Sequence, residues 1–191
     1  THAPSPLWII IQGKSGQAKG FFFMPYLKTQ EAEIYYEQFG DGPDLVWVPG
    51  GDGTIQSYQE QYPFFESRFR STCHDPRGAG QTICTKTPPW SIADMAADCA
   101  ALIREVCNPP VILTGLSMGG LITQQVAIDY PELVKLAIPM GTAANCRDGY
   151  VREFMVADVA FRRAGGRLSP ALATTYYGVL SYPAEVLGDP E

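Results

Sequence analysis

The sequence predicts an α/β fold in which a mostly parallel β-sheet carries helices on both faces. Short β-rich runs alternate with helical stretches from Glu31 onward, which is typical of such a sheet. Two predicted strands, 45–48 and 111–113, are continuous apolar runs, as expected of strands buried on both faces. The chain has 191 residues, of which 46% are hydrophobic, so it is long enough for one domain with a buried core.

The first elements are predicted between residues 33 and 75. Residues 33–39 alternate as a strand does, and the strand ends at a glycine-rich turn. The apolar run Leu45–Val48 stops at Pro49, as a buried strand would. A helix is predicted over 55–61, closed by Pro63, and a strand over 69–73.

The following elements begin with a helix whose start is marked by Ser91. Ser91 and Asp94 form a capping-box pattern, and apolar residues recur at helical spacing as far as Val106. A short strand over 111–113, a helix over 121–126 and a strand over 134–140 follow. After residue 141 the alternation stops. Two further helices are predicted, over 151–164 and from Pro170, outside the α/β layer.

These patterns divide the chain into three segments. Residues 1–23 are predicted to be a non-native or disordered leader, 24–148 an α/β core and 149–191 the beginning of a helical cap. The apolar runs of the first segment are too short to span a bilayer, and the basic start of a signal peptide is missing. Because the patterned sequence begins just after Met24, we expect natural translation to start there.

Charge and cysteine content exclude several classes of function. The net charge is -6 and no basic run occurs, so a nucleic-acid partner is not expected. No membrane partner is expected either, and the acidic charge without an export signal favours the cytoplasm. The five cysteines form no C-x-x-C pair, which favours reduced thiols and no metal. Cys99 and Cys107 are predicted to lie in the core.

The segment Gly115–Gly119 has the pattern G-x-S-x-G, which predicts Ser117 as a nucleophile. In such an elbow the serine occupies a strained turn between a strand and a helix, and only small neighbours permit that turn. The predicted strand 111–113 and helix 121–126 supply this setting. The alternative is a glycine-bounded turn whose serine has no chemical role.

Two loops at the ends of predicted strands provide further candidates. The glycine-rich loop 49–53 follows a buried strand, so Gly51 and the N–H of Met118 are predicted to form an oxyanion hole. The alternative is a flexible strand-to-helix turn. In the loop 75–82, Asp75 and Arg77 are predicted to fix the loop through charge-assisted hydrogen bonds, which is a structural role.

Three motifs, V-P-G-G-D-G, D-P-R-G-A-G-Q-T and G-L-S-M-G-G, occur in the order and spacing of one family. By these motifs the chain resembles the α/β-hydrolase superfamily, in the branch of small cofactor-free esterases, lactonases and perhydrolases. Pro49 stands where that family often has histidine. The resemblance extends from about Ile34 to the end. It implies a small ester or lactone substrate and neither cofactor nor metal.

The resemblance also implies a histidine and an acid that follow the serine in the chain. Both histidines, His2 and His74, precede Ser117. Later acids, at positions 148, 158 and 189, lie too early or in helical surroundings. We therefore expect a chain that stops within its cap and is nearly inactive alone, and we expect His74 to be a hydrogen-bonded structural residue.

Two alternatives stay open at this point. In the first, the protein is not catalytic, and its pocket binds an apolar ligand or a partner through cap aromatics at positions 154, 161, 176 and 177. In the second, a second chain or dimer partner completes the sheet, because an incomplete sheet exposes a strand edge.

Overall fold

The computed structural model of the protein describes residues 26–143 and 150–181. The chain divides into two compact units, with the boundary after Ala144. The first unit is a β-sheet with helices, and the second contains two helices. The predicted leader 1–23 lies outside the described residues, as do Asp148, Asp189 and Cys146.

The sheet has seven strands in the order β1-β2-β4-β3-β6-β7, with β5 also paired to β2. Strands β4, β3, β6 and β7 run parallel, whereas β2 pairs antiparallel with β1, β4 and β5. The α/β class is therefore confirmed, with antiparallel strands at one side of the sheet. The strands are β1 (Tyr26–Lys28), β2 (Ala32–Phe39), β3 (Asp44–Val48), β4 (Arg70–His74), β5 (Ile83–Cys84), β6 (Val111–Leu116) and β7 (Val134–Met140).

Helices connect the parallel strands and cover both faces of the sheet. They are α1 (Tyr62–Phe65), α2 (Ile92–Val106) and α3 (Met118–Asp129), with single 3-10 turns at Ile55–Tyr58 and Pro131–Leu133. The start of α2 is the predicted one: the Ser91 hydroxyl accepts from the Asp94 N–H at 3.1 Å, and the Asp94 carboxylate accepts from the Ser91 N–H at 2.7 Å. The described part of the second unit contains α4 (Tyr150–Arg163) and α5 (Pro170–Ser181).

The predicted helix over 55–61 is wrong. A 3-10 turn over 55–58 is followed by α1, and Pro63 lies in the first turn of α1 instead of ending a helix. Proline is tolerated there because the first N–H groups of a helix have no intrahelical acceptor. Helix α3 begins at Met118, three residues earlier than predicted, and the short strands β1 and β5 were not predicted.

The two faces of the sheet have separate cores. On one face α2 and α3 pack on β3 and β6, around Val46, Leu113 and Ile103. Cys99 and Cys107 are buried in this core, as predicted. On the other face, Trp47 of β3 packs against the rings of Tyr58 and Tyr62, with centroids 4.9 and 6.2 Å away. The carboxyl ends of β3 and β6 thus lie between two packed layers.

Helices α4 and α5 of the second unit contact each other through aromatic rings. Phe154 and Tyr176 stack with centroids 5.7 Å apart, and Arg162 donates to Asp158 within α4 at 2.8 Å. This stacking explains two of the four aromatic residues that were predicted to line a ligand pocket. The structure does not describe the side chain of a third, Tyr177. In the parts of the chain that the structure describes, no helix has the length and hydropathy needed to cross a membrane.

Candidate active site

Ser117 is the single residue between β6 and α3, and its backbone has φ 55° and ψ -116°. Residues other than glycine rarely adopt this backbone conformation, which costs on the order of 1–3 kcal/mol. The turn is held because the Ser117 N–H donates to the Met140 carbonyl at 2.9 Å and its carbonyl accepts from the Gly120 N–H at 2.9 Å. The residue is exposed to solvent. This is the geometry of a nucleophile elbow.

The glycines around the serine are required by close backbone approach. A Cβ at Gly115 would overlap the Gly119 carbonyl group. A Cβ at Gly119 would lie 2.6 Å from the Pro49 carbonyl oxygen and overlap that of Val48. Helix α3 therefore starts directly against the loop that follows β3. This contact brings the serine turn and the loop 49–53 to the same edge of the sheet.

Gly50 and Gly51 lie in this loop in different surroundings. A Cβ at Gly50 would be 3.6 Å from the Ser117 Cβ, whereas none of the described atoms lies within 4 Å of the corresponding position on Gly51. The Gly53 N–H donates to the Gly50 carbonyl at 3.1 Å and closes the turn. The exposed Gly51 thus follows Gly50, where an added Cβ would lie in van der Waals contact with the serine. Met118 begins α3, where backbone N–H groups lack intrahelical acceptors.

The buried Tyr58 hydroxyl joins the ends of β3 and β6. It donates to the Val48 carbonyl at 2.9 Å and accepts from the Leu116 N–H at 3.1 Å. Val48 precedes the loop 49–53, and Leu116 precedes the serine. Burial raises the pKa of Tyr58 to about 12, so the hydroxyl keeps its proton and stays a donor. In the sequence, Tyr58 was part of the predicted helix 55–61 and nothing marked its role, because its two partners come from distant segments.

The loop that follows β4 is fixed by three carboxylates, those of Asp75, Asp98 and Glu31. The Asp75 carboxylate accepts from the Ile55 N–H at 2.9 Å and from the Gln81 N–H at 2.7 Å. Arg77 forms a bidentate pair with Asp98 of α2 and donates to Glu31 at 2.8 Å. The predicted structural role of this loop is confirmed. Asp98 and Glu31 were not identified from the sequence, since nothing local marks a partner 21 or 46 residues away.

His74 lies at the end of β4, and β3 separates that strand from β6. Two strand spacings amount to about 10 Å. The ring is buried in a small gap that it shares with Ile34, Met95 and Asp98. Its Nδ1 has no hydrogen-bond partner in the described part of the chain, which differs from the expected hydrogen-bonded residue. Burial lowers the pKa of His74 to about 4.

The buried His74 makes stability depend on pH. Because its pKa is about 4 in the folded state and about 6.5 when unfolded, the unfolded chain binds more protons between these values. The contribution of neutral His74 to the free energy of unfolding is complete above pH 6.5, and it falls by up to about 3 kcal/mol as the pH approaches 4. The free energy of unfolding, measured by urea denaturation between pH 4 and 6.5, is expected to change less with pH in His74→Gln than in wild type. His2→Gln, which removes the other histidine, serves as control, and equal slopes for His74→Gln and wild type would contradict the prediction.

The parallel strands β4-β3-β6-β7, the serine turn between β6 and α3 and the adjoining glycine loop define an α/β hydrolase fold. A family model described as alpha/beta hydrolase fold matches residues 43–189 of the sequence. The chain therefore belongs to the α/β-hydrolase family. This confirms the family predicted from the three motifs.

Among curated relatives, the chain is similar to 3-oxoadipate enol-lactonase 2 of Acinetobacter baylyi. The two are 32% identical over 127 residues, which are 65% of this chain and 47% of the relative. The chain thus spans about half the length of this curated relative.

Two solved structures share the fold. The structure of Rv0554 from Mycobacterium tuberculosis matches with a TM-score of 0.74 and 28% identity, over 82% of this chain and 57% of that one. A hydrolase from Pseudomonas aeruginosa matches with a TM-score of 0.69 and 22% identity, over 87% and 62%. The second likeness concerns the fold alone.

Proposed function

We propose that the protein is a serine hydrolase that cleaves a carboxylic ester or lactone through an acyl-enzyme on Ser117. The observation that carries the proposal is the backbone of Ser117, held at φ 55° between β6 and α3 beside the loop 49–53. Strain of this kind persists where the surrounding structure imposes it, and it is concentrated at functional sites. The name of the enol-lactonase relative supports a lactone or a related ester as substrate.

In the proposed reaction, the Ser117 Oγ attacks the carbonyl carbon of the substrate. The carbonyl oxygen becomes negatively charged and accepts hydrogen bonds from the N–H groups of Gly51 and Met118. Collapse of the tetrahedral species expels the alcohol, which takes up the proton that the base removed from the Ser117 hydroxyl. It leaves an acyl-serine, which water then hydrolyses. No step of this reaction requires a metal or an organic cofactor.

In the α/β-hydrolase family, the histidine that acts as base and the acid that orients it follow the serine in the chain. We assign neither role to His74 or Asp158. His74 is buried beneath α2, and Asp158 is paired with Arg162. We therefore expect the 191-residue chain to show little turnover by itself, because loss of a triad member lowers kcat by several orders of magnitude.

The test uses the native protein, at the length at which the cell makes it, and a fluorophosphonate probe. We expect stoichiometric addition of one phosphonyl group, found by peptide mass spectrometry on the peptide that contains Ser117. Prior incubation with a lactone or ester that is turned over should slow the labelling. A folded native protein that is not labelled would refute the proposal and favour a binding protein without catalysis.

Tyr58→Phe is expected to slow this labelling by roughly tenfold, equivalent to about 1.4 kcal/mol in the barrier. The substitution removes both hydrogen bonds of the hydroxyl, so the serine turn and the loop 49–53 lose a shared support. Tyr62→Phe is the matched control. Its hydroxyl donates to Ile55 at 2.8 Å and does not join the two strands. Equal labelling rates for the two variants would show that the bridge has no positioning role.

A further inference from the structure

A second concave site lies on the sheet face that packs against the 55–65 segment. It is a cleft of about 510 Å³ whose floor is β2 and whose wall is the segment that contains Gln56, Gln59 and Tyr62. Its volume is within the range of about 300–1,000 Å³ that is usual for small-molecule sites. Neither Ser117, Gly51 nor Met118 lines it. We refer to it as the β2 cleft.

The floor of the β2 cleft is formed by Tyr35, Glu37 and Phe39, which alternate along β2 and share one face. Tyr35 and Phe39 are four residues apart, or about 13 Å along the strand. Phe39 stacks on Tyr62 with centroids 4.7 Å apart. The cleft is therefore elongated, with an aromatic end at Phe39 and a polar middle at Glu37.

The charge of the β2 cleft is negative. Its lining contains the carboxylates of Glu37 and Asp75 and neither lysine, arginine nor histidine. Both Asp75 oxygens accept hydrogen bonds from backbone N–H groups. The partly buried Glu37 accepts from the Tyr35 hydroxyl at 2.5 Å. Burial is the main cause, and this hydrogen bond the second, of a pKa of Tyr35 raised to about 12, so the tyrosine stays neutral.

Glu37 differs in its partners from the other glutamates of this region. Glu31 pairs with Arg77 at 2.8 Å and with Lys86 at 3.4 Å, and Glu33 pairs with Lys28 at 3.6 Å. Among the residues that the structure describes, no ion pair includes Glu37. A partly buried carboxylate in a cleft without cations attracts a positive charge more strongly than one in bulk water.

The lining determines the kind of cation that fits. In the described parts of the chain, no three His, Cys, Asp or Glu side chains are grouped so that they could hold a metal ion. The Glu37 carboxylate beside aromatic rings instead matches an ammonium group with an apolar body. Aromatic faces attract such a cation by about 0.5–2 kcal/mol. The amides of Gln56 and Gln59 supply further polar contacts along the wall.

We propose that the β2 cleft binds a small organic ammonium compound, with its charged nitrogen at Glu37 and its apolar body against Phe39 and Tyr62. The site is separate from the proposed serine centre and does not depend on it. It would accept an arylalkyl amine in preference to a neutral or anionic molecule of the same shape.

The test compares three probes of similar shape on the whole protein: 2-phenylethylammonium, 2-phenylethanol and 3-phenylpropionate. Binding is followed by isothermal titration and by chemical-shift changes of the amide groups of β2. We expect saturable binding of the ammonium compound that weakens as salt is raised, and at least about tenfold weaker binding of the alcohol and the carboxylate.

Glu37→Gln removes the charge and retains an oxygen that accepts from Tyr35, so it isolates the electrostatic contribution. It is expected to weaken the binding of the ammonium compound about tenfold and to leave the binding of the alcohol unchanged. Glu33→Gln, on the same strand, is the matched control and should bind as wild type does. Thermal unfolding of each variant establishes that it is folded.

Phe39→Leu provides a second variant, which should weaken the binding of the ammonium compound and of the alcohol to the same extent. Absence of saturable binding of the ammonium compound would overturn the proposal, as would equal binding by Glu37→Gln and wild type. Ser117→Ala should retain the binding. A failure here is thereby distinguished from a failure of the hydrolase proposal, which concerns a different set of residues.

Discussion

Replacement of Ser117 by alanine is expected to abolish fluorophosphonate labelling and to lower ester hydrolysis by the native protein at least about a thousandfold. The variant lacks only the oxygen that attacks the carbonyl carbon. The backbone turn, the loop 49–53 and the Tyr58 bridge keep their contacts, since none of their hydrogen bonds uses the Ser117 side chain. Labelling is measured as the rate of mass increase of the intact protein.

The matched control is Ser169→Ala, which changes an exposed serine of the second unit and should leave the labelling rate unchanged. A third variant, Ser117→Gly, separates chemistry from strain. Glycine adopts φ 55° readily, so Ser117→Gly is expected to be about 1–2 kcal/mol more stable than Ser117→Ala while equally unreactive. Retention of labelling in Ser117→Ala would show that another residue is the nucleophile.

Asp98→Asn is expected to lower the free energy of unfolding by about 3–5 kcal/mol, as measured by urea denaturation. The side chains of Arg77 and Asp98 are only 4% and 7% exposed. The hydrogen bonds to Asp98 are the main cause of the raised pKa of Arg77. Without the Asp98 charge, Arg77 would lie in a buried position with only Glu31 to neutralise it, and water would not replace the lost partner.

Glu132→Gln is the control, because the same chemical change then affects an exposed pair. Glu132 accepts from Arg104 at 3.0 Å and is 62% exposed, so its loss should cost less than about 1 kcal/mol. The double variant Arg77→Met with Asp98→Leu should recover most of the stability, since no unpaired charge is left in the core. Equal effects of Asp98→Asn and Glu132→Gln would contradict the prediction.

Much of the fold could be predicted where the local sequence and the tertiary structure require the same conformation. The capping box at Ser91 and the apolar stripe behind it predicted α2, because both signals act within a few residues. The short strand β5 gave no such signal. Its two residues form a strand only because Ile83 and Cys84 meet Glu33 and Ala32 of β2.

The candidate site was predictable in its backbone and not in its supports. Gly115 and Gly119 were recognisable because close backbone approach excludes larger side chains, and Gly51 because it belongs to a glycine-rich loop that follows a buried strand. The Tyr58 bridge was not, since its hydroxyl joins Val48 to Leu116, which are 68 residues apart in the chain, and only the folded sheet brings them together. The pairing of Arg77 with Asp98 was hidden for the same reason.

The sequence by itself determined the class of fold, the family and the serine that we propose as nucleophile, because these depend on periodicity and on short motifs in fixed order. Only the tertiary structure decided that His74 is buried beneath α2, that Arg77 pairs with Asp98 and Glu31, and that Glu37 lies in a cleft with no ion pair to any described residue. The physical reason is that the burial of a polar side chain and the partners of its ion pairs depend on residues distant in the chain, which no local pattern identifies.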